Sequence, residues 1–147
     1  MTAKRQLEDK LHEQIPLTRA IGLQVSRLDD HSITLTAPLQ NNFNHKSTAF
    51  AGSLYSVAVL AGWGLLASRL ESLGLHGHIV VQDADIRYLL PVNQDIEASC
   101  SITDEAEFAR FVKLFKRKAR ARIRLETQIL NAGACAVQFV GNYVVHA

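Results

Sequence analysis

The spacing of apolar side chains changes several times along the chain, and each change predicts a new element. Leu7, Leu11 and Ile15 lie four apart, which predicts an amphipathic packing helix over residues 2–14. Residues 21–37 then alternate between apolar and polar with a period of two. That period predicts two strands of a hairpin with one dry face.

The longest apolar segment runs from Val57 to Ala67, and Trp63 carries its only hydrogen-bonding side chain. As a helix it would be apolar on every side, which predicts burial. It is shorter than the roughly 20 residues that a membrane span requires, so we interpret it as a core helix. A polar, turn-rich loop over residues 39–50 leads directly into it, and Gly74 supplies a stop signal.

Alternation returns after this helix. One face of the next strand holds Ala84 and Ile86, whereas the other holds Asp83 and Asp85. Residues 96–102 alternate again, and we expect them to form the second arm of a hairpin with that strand.

The last third of the chain predicts one helix and two strands. Asp104 is a suitable helix cap, and Phe108, Phe111 and Phe115 follow at helical spacing. Two alternating segments then flank a turn at residues 131–133. Six strands, mostly in consecutive hairpins, and one all-apolar helix predict an antiparallel sheet curled around that helix.

Length and composition limit the possibilities further. With 147 residues, 48% of them hydrophobic and 20% charged, the sequence predicts a single domain over residues 1–147. The charged N-terminal segment lacks the apolar region of an export signal, so we expect a cytoplasmic protein. Cys100 and Cys135 lie on apolar strand faces without metal-ligand spacing, which predicts reduced thiols in the core.

Half of the positive side chains are concentrated in one segment. Eight of the sixteen Lys and Arg residues fall within residues 110–124, with no acid among them. Arg120, Arg122 and Arg124 alternate, so they form a stripe on one strand face that would attract phosphate groups. Nucleic-acid binding ranks third among the functions considered, because the net charge is only +2 and the stripe lacks interleaved aromatic residues.

Two stretches carry a resemblance to a known family. The sequences NHKSTAFAGSLYSVAVLAGWGLL and VQDADIRYLLPV resemble the thioesterases of the YiiD C-terminal-domain family, and the order of elements is similar to the hotdog fold. The resemblance extends from about Ile15 to Tyr143. It implies an α+β hotdog fold: an antiparallel sheet of about six strands around a long central helix, with an N-terminal helix and a short helix before the last two strands.

The resemblance also implies a function. It implies hydrolysis of acyl thioesters of coenzyme A or acyl-carrier protein, by a homodimer or dimer of dimers with active sites at the interface. No cofactor is expected apart from the coenzyme A of the substrate. The loop asparagine of related thioesterases matches Asn44, and the pair at their helix start matches Ala51 and Gly52. The acid on the helix of phenylacetate-pathway relatives falls near Val59, and no carboxylate lies between Val57 and Ala67.

Thioester hydrolysis needs donors for the developing oxyanion and a group that activates water. Backbone N–H groups at a helix start are unpaired and lie at the positive end of the helix dipole, so Ala51, Gly52 and Ser53 are suited to the oxyanion. His45 or Asp83 is the candidate base, without a preference between them. The candidate catalytic residues are therefore Asn44, His45, Gly52, Ser53 and Asp83. The candidate substrate-binding residues are Ala51, Tyr55, Ser56, Asp85, Arg120, Arg122 and Arg124.

Simpler interpretations of these residues exist. Asn44 and His45 could serve only the turn, and a hydroxyl such as that of Ser56 more often bonds its own helix than attacks a substrate. His76 and His78 have the spacing of ligands on a strand, but a third ligand is missing, so no metal is expected. Because the helix lacks an acid, a non-catalytic acyl-CoA-binding or regulatory module is the alternative function. A hotdog dehydratase is conceivable, although the sequence lacks the usual paired Asp and His.

Overall fold

The computed structural model describes residues 2–147, which form one six-stranded antiparallel sheet and four α-helices. The helices are α1 (Ala3–Gln14), α2 (Leu17–Ile21), α3 (Ala51–Ser72) and α4 (Glu105–Lys118). The strands are β1 (Gln24–Leu28), β2 (Ser32–Ala37), β3 (His78–Tyr88), β4 (Ile96–Ser101), β5 (Arg120–Asn131) and β6 (Ala134–His146).

The strand order β1-β2-β4-β5-β6-β3 corrects one prediction. The hairpins β1-β2 and β5-β6 form as expected, but β3 and β4 do not pair. Instead β3 pairs along its length with β6 at the sheet edge, whereas β4 lies between β2 and β5. Alternation fixes which face of a strand is buried but not which strand lies beside it, so the hairpin assumption was wrong.

The central helix α3 packs on the inner face of this sheet. Eleven of its 22 residues are buried, among them Leu65 and Leu66, whose side chains are fully enclosed. The helix extends beyond the apolar run from Val57 to Ala67 at both ends, and by length and composition alone it could cross a membrane. The burial of its surface by the sheet, rather than its length, is what marks it as a core helix.

A contact between Gly62 of α3 and Tyr143 of β6 fixes the helix on the sheet. The Tyr143 hydroxyl donates a hydrogen bond to the Val59 carbonyl oxygen at 2.8 Å, although the whole residue is inaccessible to solvent. A Cβ atom at Gly62 would overlap the phenol oxygen and ring of Tyr143. The glycine therefore lets the phenol reach the helix backbone. Burial raises the pKa of Tyr143, so the hydroxyl remains a donor.

The N-terminal segment contains a helix that its periodicity did not predict. α1 begins at the Thr2 cap, buries Leu7 and Leu11, and ends before Pro16 as expected. α2 follows at once, and its five residues are too few to show a helical period. It ends at Gly22, whose φ of 75° is a left-handed conformation that glycine adopts at low cost.

Between β4 and β5 the sheet opens, and α4 packs beside the opening. These strands pair only at Ala98–Ile129, Ser99–Gln128 and Cys100–Thr127. The helix begins at the predicted cap, where the Asp104 carboxylate accepts the Glu107 amide at 3.0 Å. Its three phenylalanines are buried.

The two cysteines are unpaired and lie on different strands. Cys100 is buried, and this burial raises the pKa of its thiol to about 11, so it stays protonated at neutral pH. Cys135 is only partly buried.

The Gly62 contact predicts the effect of a single methyl group. Gly62→Ala should reduce the free energy of unfolding by about 1–3 kcal/mol, because overpacking against Tyr143 outweighs the better helix propensity of alanine. Gly64→Ala is the matched control in the same helix, since its new Cβ would meet only the flexible ends of Ile33 and Leu7, at 3.0 and 3.4 Å. Urea unfolding of both variants measures the difference, and a Gly62→Ala protein as stable as wild type would contradict this account.

Candidate functional site

A small irregular hairpin leads into α3. Phe43 and Ala49 form an isolated antiparallel bridge, and the Asn44 amide donates to the Thr48 carbonyl at 2.7 Å. Ser47 turns the chain with a φ of 61°. The hairpin is fastened to the rest of the fold by buried Asn42, whose amide nitrogen donates to the carbonyls of Ile21 and Pro38 at 2.9 and 2.7 Å, respectively. The loop before α3 is therefore held in one conformation by specific hydrogen bonds.

The side chain of Asn44 is committed to that hairpin. Its Oδ1 accepts the Lys46 and Thr48 amides at 2.8 and 3.2 Å, and its Nδ2 donates to the Thr48 hydroxyl at 3.0 Å. These bonds match the simpler interpretation, in which the asparagine stabilises the turn. Beside it, His45 is exposed near the hairpin tip, and its ring has no hydrogen-bond partner among residues 2–147.

The start of α3 is open, as the sequence predicted. The side chain of the cap residue Phe50 offers no hydrogen-bond acceptor. The first N–H group of the helix that has an acceptor is that of Leu54, which donates to the Phe50 carbonyl. Within residues 2–147 the N–H groups of Ala51, Gly52 and Ser53 therefore have no acceptor. Ala51 and Gly52 are exposed, and the partial positive charge of the helix terminus faces outward there.

Gly52 is needed for the shape of this helix start. The Phe50 ring folds back over it and occupies the space that a side chain would fill. The hydroxyl of Ser56 donates to the Gly52 carbonyl at 2.9 Å, so this serine bonds its own helix as the simpler interpretation expected. The backbone amides of this terminus remain free, and the Ser53 hydroxyl likewise has no hydrogen-bond partner among residues 2–147.

Tyr88 is the site residue that sequence reasoning did not select. Its hydroxyl donates to the Ala51 carbonyl at 3.1 Å, which joins the end of β3 to the start of α3. Burial, followed by the proximity of Tyr55, raises the pKa of Tyr88, so its phenol stays protonated at neutral pH. Tyr88 continues the alternation of Ala84 and Ile86, so it lies on the same face of β3. The missing information was that this face ends beside the helix start.

Tyr55 lies one helical turn into α3 and is partly exposed. Its ring meets that of Phe139 edge to face, with centroids 5.4 Å apart. Four exposed apolar side chains belong to the segments that flank the helix start: the hairpin with its cap, and the end of β3. They are Phe43, Phe50, Leu89 and Leu90.

Within a single chain, Asp83 and Asp85 do not lie beside the start of α3. Tyr143 points inward to α3, so its neighbour Asn142 points outward, and Asp83 pairs directly with Asn142. The Asn142 side-chain amide donates to the Asp83 carboxylate. Asp85 lies two residues further along the same outer face. Within one chain the sheet therefore separates Asp83, one of the two candidate bases, from the loop and from the start of α3.

The arginine stripe lies on the same outer face. Arg124 is paired with Asn142 in the β5-β6 ladder, and Arg120 and Arg122 share its orientation and are exposed. Arg124 forms an ion pair with Glu126 at 3.1 Å, and Arg122 donates to the Gln82 side chain at 3.3 Å. The stripe exists as the alternation predicted, but it faces away from the start of α3.

The predicted residues therefore fall into two groups. The inner group surrounds the helix start and contains Asn44, His45, Ala51, Gly52, Ser53, Tyr55 and Ser56. The outer group contains Asp83, Asp85, Arg120, Arg122 and Arg124. In the described part of the chain, no three His, Cys, Asp or Glu side chains converge as metal ligands would.

A six-stranded antiparallel sheet wrapped around one long helix is the hotdog fold. The chain belongs to the YiiD C-terminal-domain family, described as "Putative thioesterase (yiiD_Cterm)", whose pattern matches residues 4–147. The resemblance seen in the sequence is confirmed.

Solved structures agree with this assignment. A protein of unknown function from Chlorobaculum tepidum TLS is similar with 34% identity and a TM-score of 0.94, covering 97% of this chain and 93% of that one. A "putative thioesterase" from Shewanella oneidensis has 31% identity and a TM-score of 0.90, with 99% and 98% covered. A "probable thioesterase" from Pseudomonas aeruginosa shares the fold at 21% identity, with a TM-score of 0.82 and coverage of 98% and 93%.

Proposed function

We propose that this protein hydrolyses acyl thioesters of coenzyme A or of acyl-carrier protein at the start of α3. The observation that carries the proposal is the exposed helix terminus, where the N–H groups of Ala51, Gly52 and Ser53 have no acceptor among residues 2–147. Membership of the thioesterase family supports the same reaction.

The chemistry follows from these amides. The thioester carbonyl oxygen accepts hydrogen bonds from two neighbouring N–H groups, and these bonds strengthen as the oxygen becomes negative during attack. The Tyr88 hydroxyl already bonds Ala51 and holds β3 against this terminus. The partial charge of the helix dipole adds to the stabilisation.

Water is the nucleophile in this proposal. Its oxygen attacks the carbonyl carbon while a base removes its proton; the C–S bond then breaks, and the departing thiolate takes up a proton. Of the two candidate bases, His45 belongs to the hairpin that leads directly into α3, whereas Asp83 lies across the sheet. We therefore propose His45 as the base, with Asp83 serving to bond Asn142.

The oxyanion assignment can be tested by removing single N–H groups. Any two neighbouring donors among the three must include Ala51 or Ser53, so Ala51→Pro and Ser53→Pro together cover every case. Proline is accepted in a first helical turn, and Phe50 before Ala51 is already extended, with ψ of 137°. At least one variant should lose about a hundredfold or more in kcat, the usual effect of losing an oxyanion donor.

Ala51→Ser and Ser53→Ala keep the N–H groups and should retain kcat, which separates the backbone donor from the side chain. The oxyanion assignment fails if both proline variants fold and turn over at the wild-type rate.

The choice of base is tested by an acyl-CoA hydrolysis panel of short, medium and long chains. His45→Ala should lower kcat by about 10²–10⁴-fold, the contribution of a general base, whereas Asp83→Asn should leave it within a few-fold of wild type. Asn44→Ala should lower activity together with the order of the hairpin, visible as faster hydrogen exchange of the Lys46 and Thr48 amides. If Asp83→Asn abolishes turnover and His45→Ala does not, the roles are reversed. Binding without any hydrolysis would instead favour the non-catalytic module.

A homodimer formed through β3 is the second part of this proposal. β3 has 11 residues, pairs only with β6 in the described chain, and leaves its other edge without a strand. Val80 and Tyr88 on this strand, with Leu89 and Leu90 beyond it, are also exposed. A long edge with apolar neighbours is suited to pairing with a second copy, and such pairing would place the partner beside the start of α3.

Light scattering tests the dimer. The wild-type protein should have about twice the 16.3 kDa of one chain, and replacing both Leu89 and Leu90 by Asp should shift it toward the monomer. Lys46→Asp, at the exposed hairpin, is a charge-change control that should not alter the mass. A monomeric wild-type protein at tens of micromolar would contradict the proposal.

A further inference from the structure

A groove of about 370 Å³ runs between the end of α3 and one side of α4. Arg69 and Leu73 form its wall at the end of α3. The wall on α4 is a single helical stripe, because its members recur at spacings of three and four residues. They are Glu105, Phe108, Ala109, Val112, Lys113 and Lys116. Ala51 lies 22 residues before Leu73, or about 33 Å along the helix, so the groove is remote from the start of α3.

The floor of the groove is apolar and only partly covered. Phe108 is buried, but Val112 is half-buried and Ala109 is exposed. Leu73 is 46% exposed, although it is a large apolar side chain at the junction of two helices. The apolar surface of α4 is therefore wider than the phenylalanine face that packs inward, and the additional width has no partner among residues 2–147.

The rim of the groove is positively charged. Lys113 and Lys116 line it, and Arg110 and Arg117 flank Lys113 at three and four residues on the exposed surface of α4. None of these four side chains forms an ion pair among residues 2–147. The helix dipole favours cations in the last turn, such as Lys116 and Arg117, but it does not account for the two that lie earlier in the helix.

Glu105, the single acid among the lining residues, is already engaged. Its carboxylate accepts a hydrogen bond from the Arg69 guanidinium at 3.2 Å and pairs with the His31 Nδ1 at 2.6 Å. The Arg69 guanidinium also lies over the Phe108 ring, 4.2 Å from its centroid. These contacts join the two walls at the start of α4, and they leave the positive charge of the rim uncompensated.

We propose that this groove docks an acidic amphipathic helix of a partner protein. Apolar side chains at three- and four-residue spacing on the partner cover Leu73, Ala109 and Val112, and the carboxylates beside them meet Lys113 and Lys116. α4 has 14 residues, or about 21 Å, so the partner helix has about four turns of contact. Docking here leaves the start of α3 accessible, so the partner does not block the proposed reaction.

Other anionic partners fit this groove less well. A nucleic acid would use the charges but not the apolar floor, and single strands stack on exposed aromatic rings, whereas Phe108 is buried. An anionic membrane takes up apolar side chains that protrude into it, and here the apolar side chains line a recess. The combination of a recessed apolar floor and a basic rim therefore favours a helix.

The first arm of the test measures binding of a fluorescent peptide by anisotropy. The peptide has the 14-residue length of α4, with leucines at three- and four-residue spacing and glutamates on both sides of them. The wild-type protein should bind it, and Lys113→Glu together with Lys116→Glu should weaken binding at least tenfold. Arg120→Glu together with Arg122→Glu makes the same charge change on the outer face of the sheet and should weaken binding by less than about threefold. An affinity that the Lys113 and Lys116 changes do not lower overturns the inference.

The second arm separates the charges from the apolar floor. A peptide with lysine in place of glutamate should bind the doubly substituted Lys113→Glu, Lys116→Glu protein and not the wild type, a gain that a misfolded variant would not show. Leu73→Ser should weaken the glutamate peptide at least fivefold, whereas Leu130→Ser, at a leucine that is 42% exposed elsewhere, should not.

Three results would overturn the inference. The first is a wild-type protein that does not bind the glutamate peptide at low salt. The second is equal binding by the Leu73→Ser and Leu130→Ser proteins, which would remove the apolar floor from the interface. The third is tighter binding to phosphatidylserine vesicles or to single-stranded DNA than to the peptide, which would assign the basic surface to that other partner.

Discussion

The contact of the Tyr143 phenol with the backbone of α3 is the constraint on which the rest of this structure depends. The hydroxyl donates to the Val59 carbonyl, and the ring occupies the space left free by Gly62. A sheet can wrap an apolar helix at many rotations and heights, because the hydrophobic effect is not directional. One buried hydrogen bond at a glycine selects a single arrangement. It fixes which side of α3 faces β6 and therefore which stripe faces the edge strand β3.

That rotation leaves the helix start and one stripe of α3 incompletely covered. Burying unpaired amides would cost free energy, and here those of Ala51 and Gly52 remain exposed at the surface. The neighbouring segments compensate in part: Phe50 folds over Gly52, and Tyr88 bonds the Ala51 carbonyl. Three neighbouring donors held in place by the start of a helix are pre-organised to bind an oxygen.

The sheet divides the polar chemistry of the protein between two faces. The inner face meets the helix with apolar and aromatic side chains. The outer face carries the arginine stripe and the Asp83 and Asp85 carboxylates, and several of these groups pair there, as Arg124 does with Glu126. These charges remain solvated because the outer face is exposed, and exposed pairs of this kind contribute little to stability.

The sequence alone determined the faces and the period of nearly every element. The alternation around Asp83 and Ala84, the apolar run around Trp63 and the Asp104 cap are local patterns, and local patterns depend only on neighbouring residues. The free amides of Ala51 to Ser53 were predictable for the same reason, since every helix start has them. The short α2 and the separation of β3 from β4 were not predictable. The former has too few residues to show a period, and the latter is a choice between distant partners.

The tertiary structure decided which residues belong to the candidate site. Tyr88 joined it and Asp83 left it because strand pairing places one inner face beside the helix start and the opposite face across the sheet. The alternation already placed the aspartates on the face opposite to Ala84 and Ile86, but only the pairing of β3 with β6 shows that their face points away from α3. Local sequence thus set which residues were available, and the long-range packing of helix on sheet decided which of them meet.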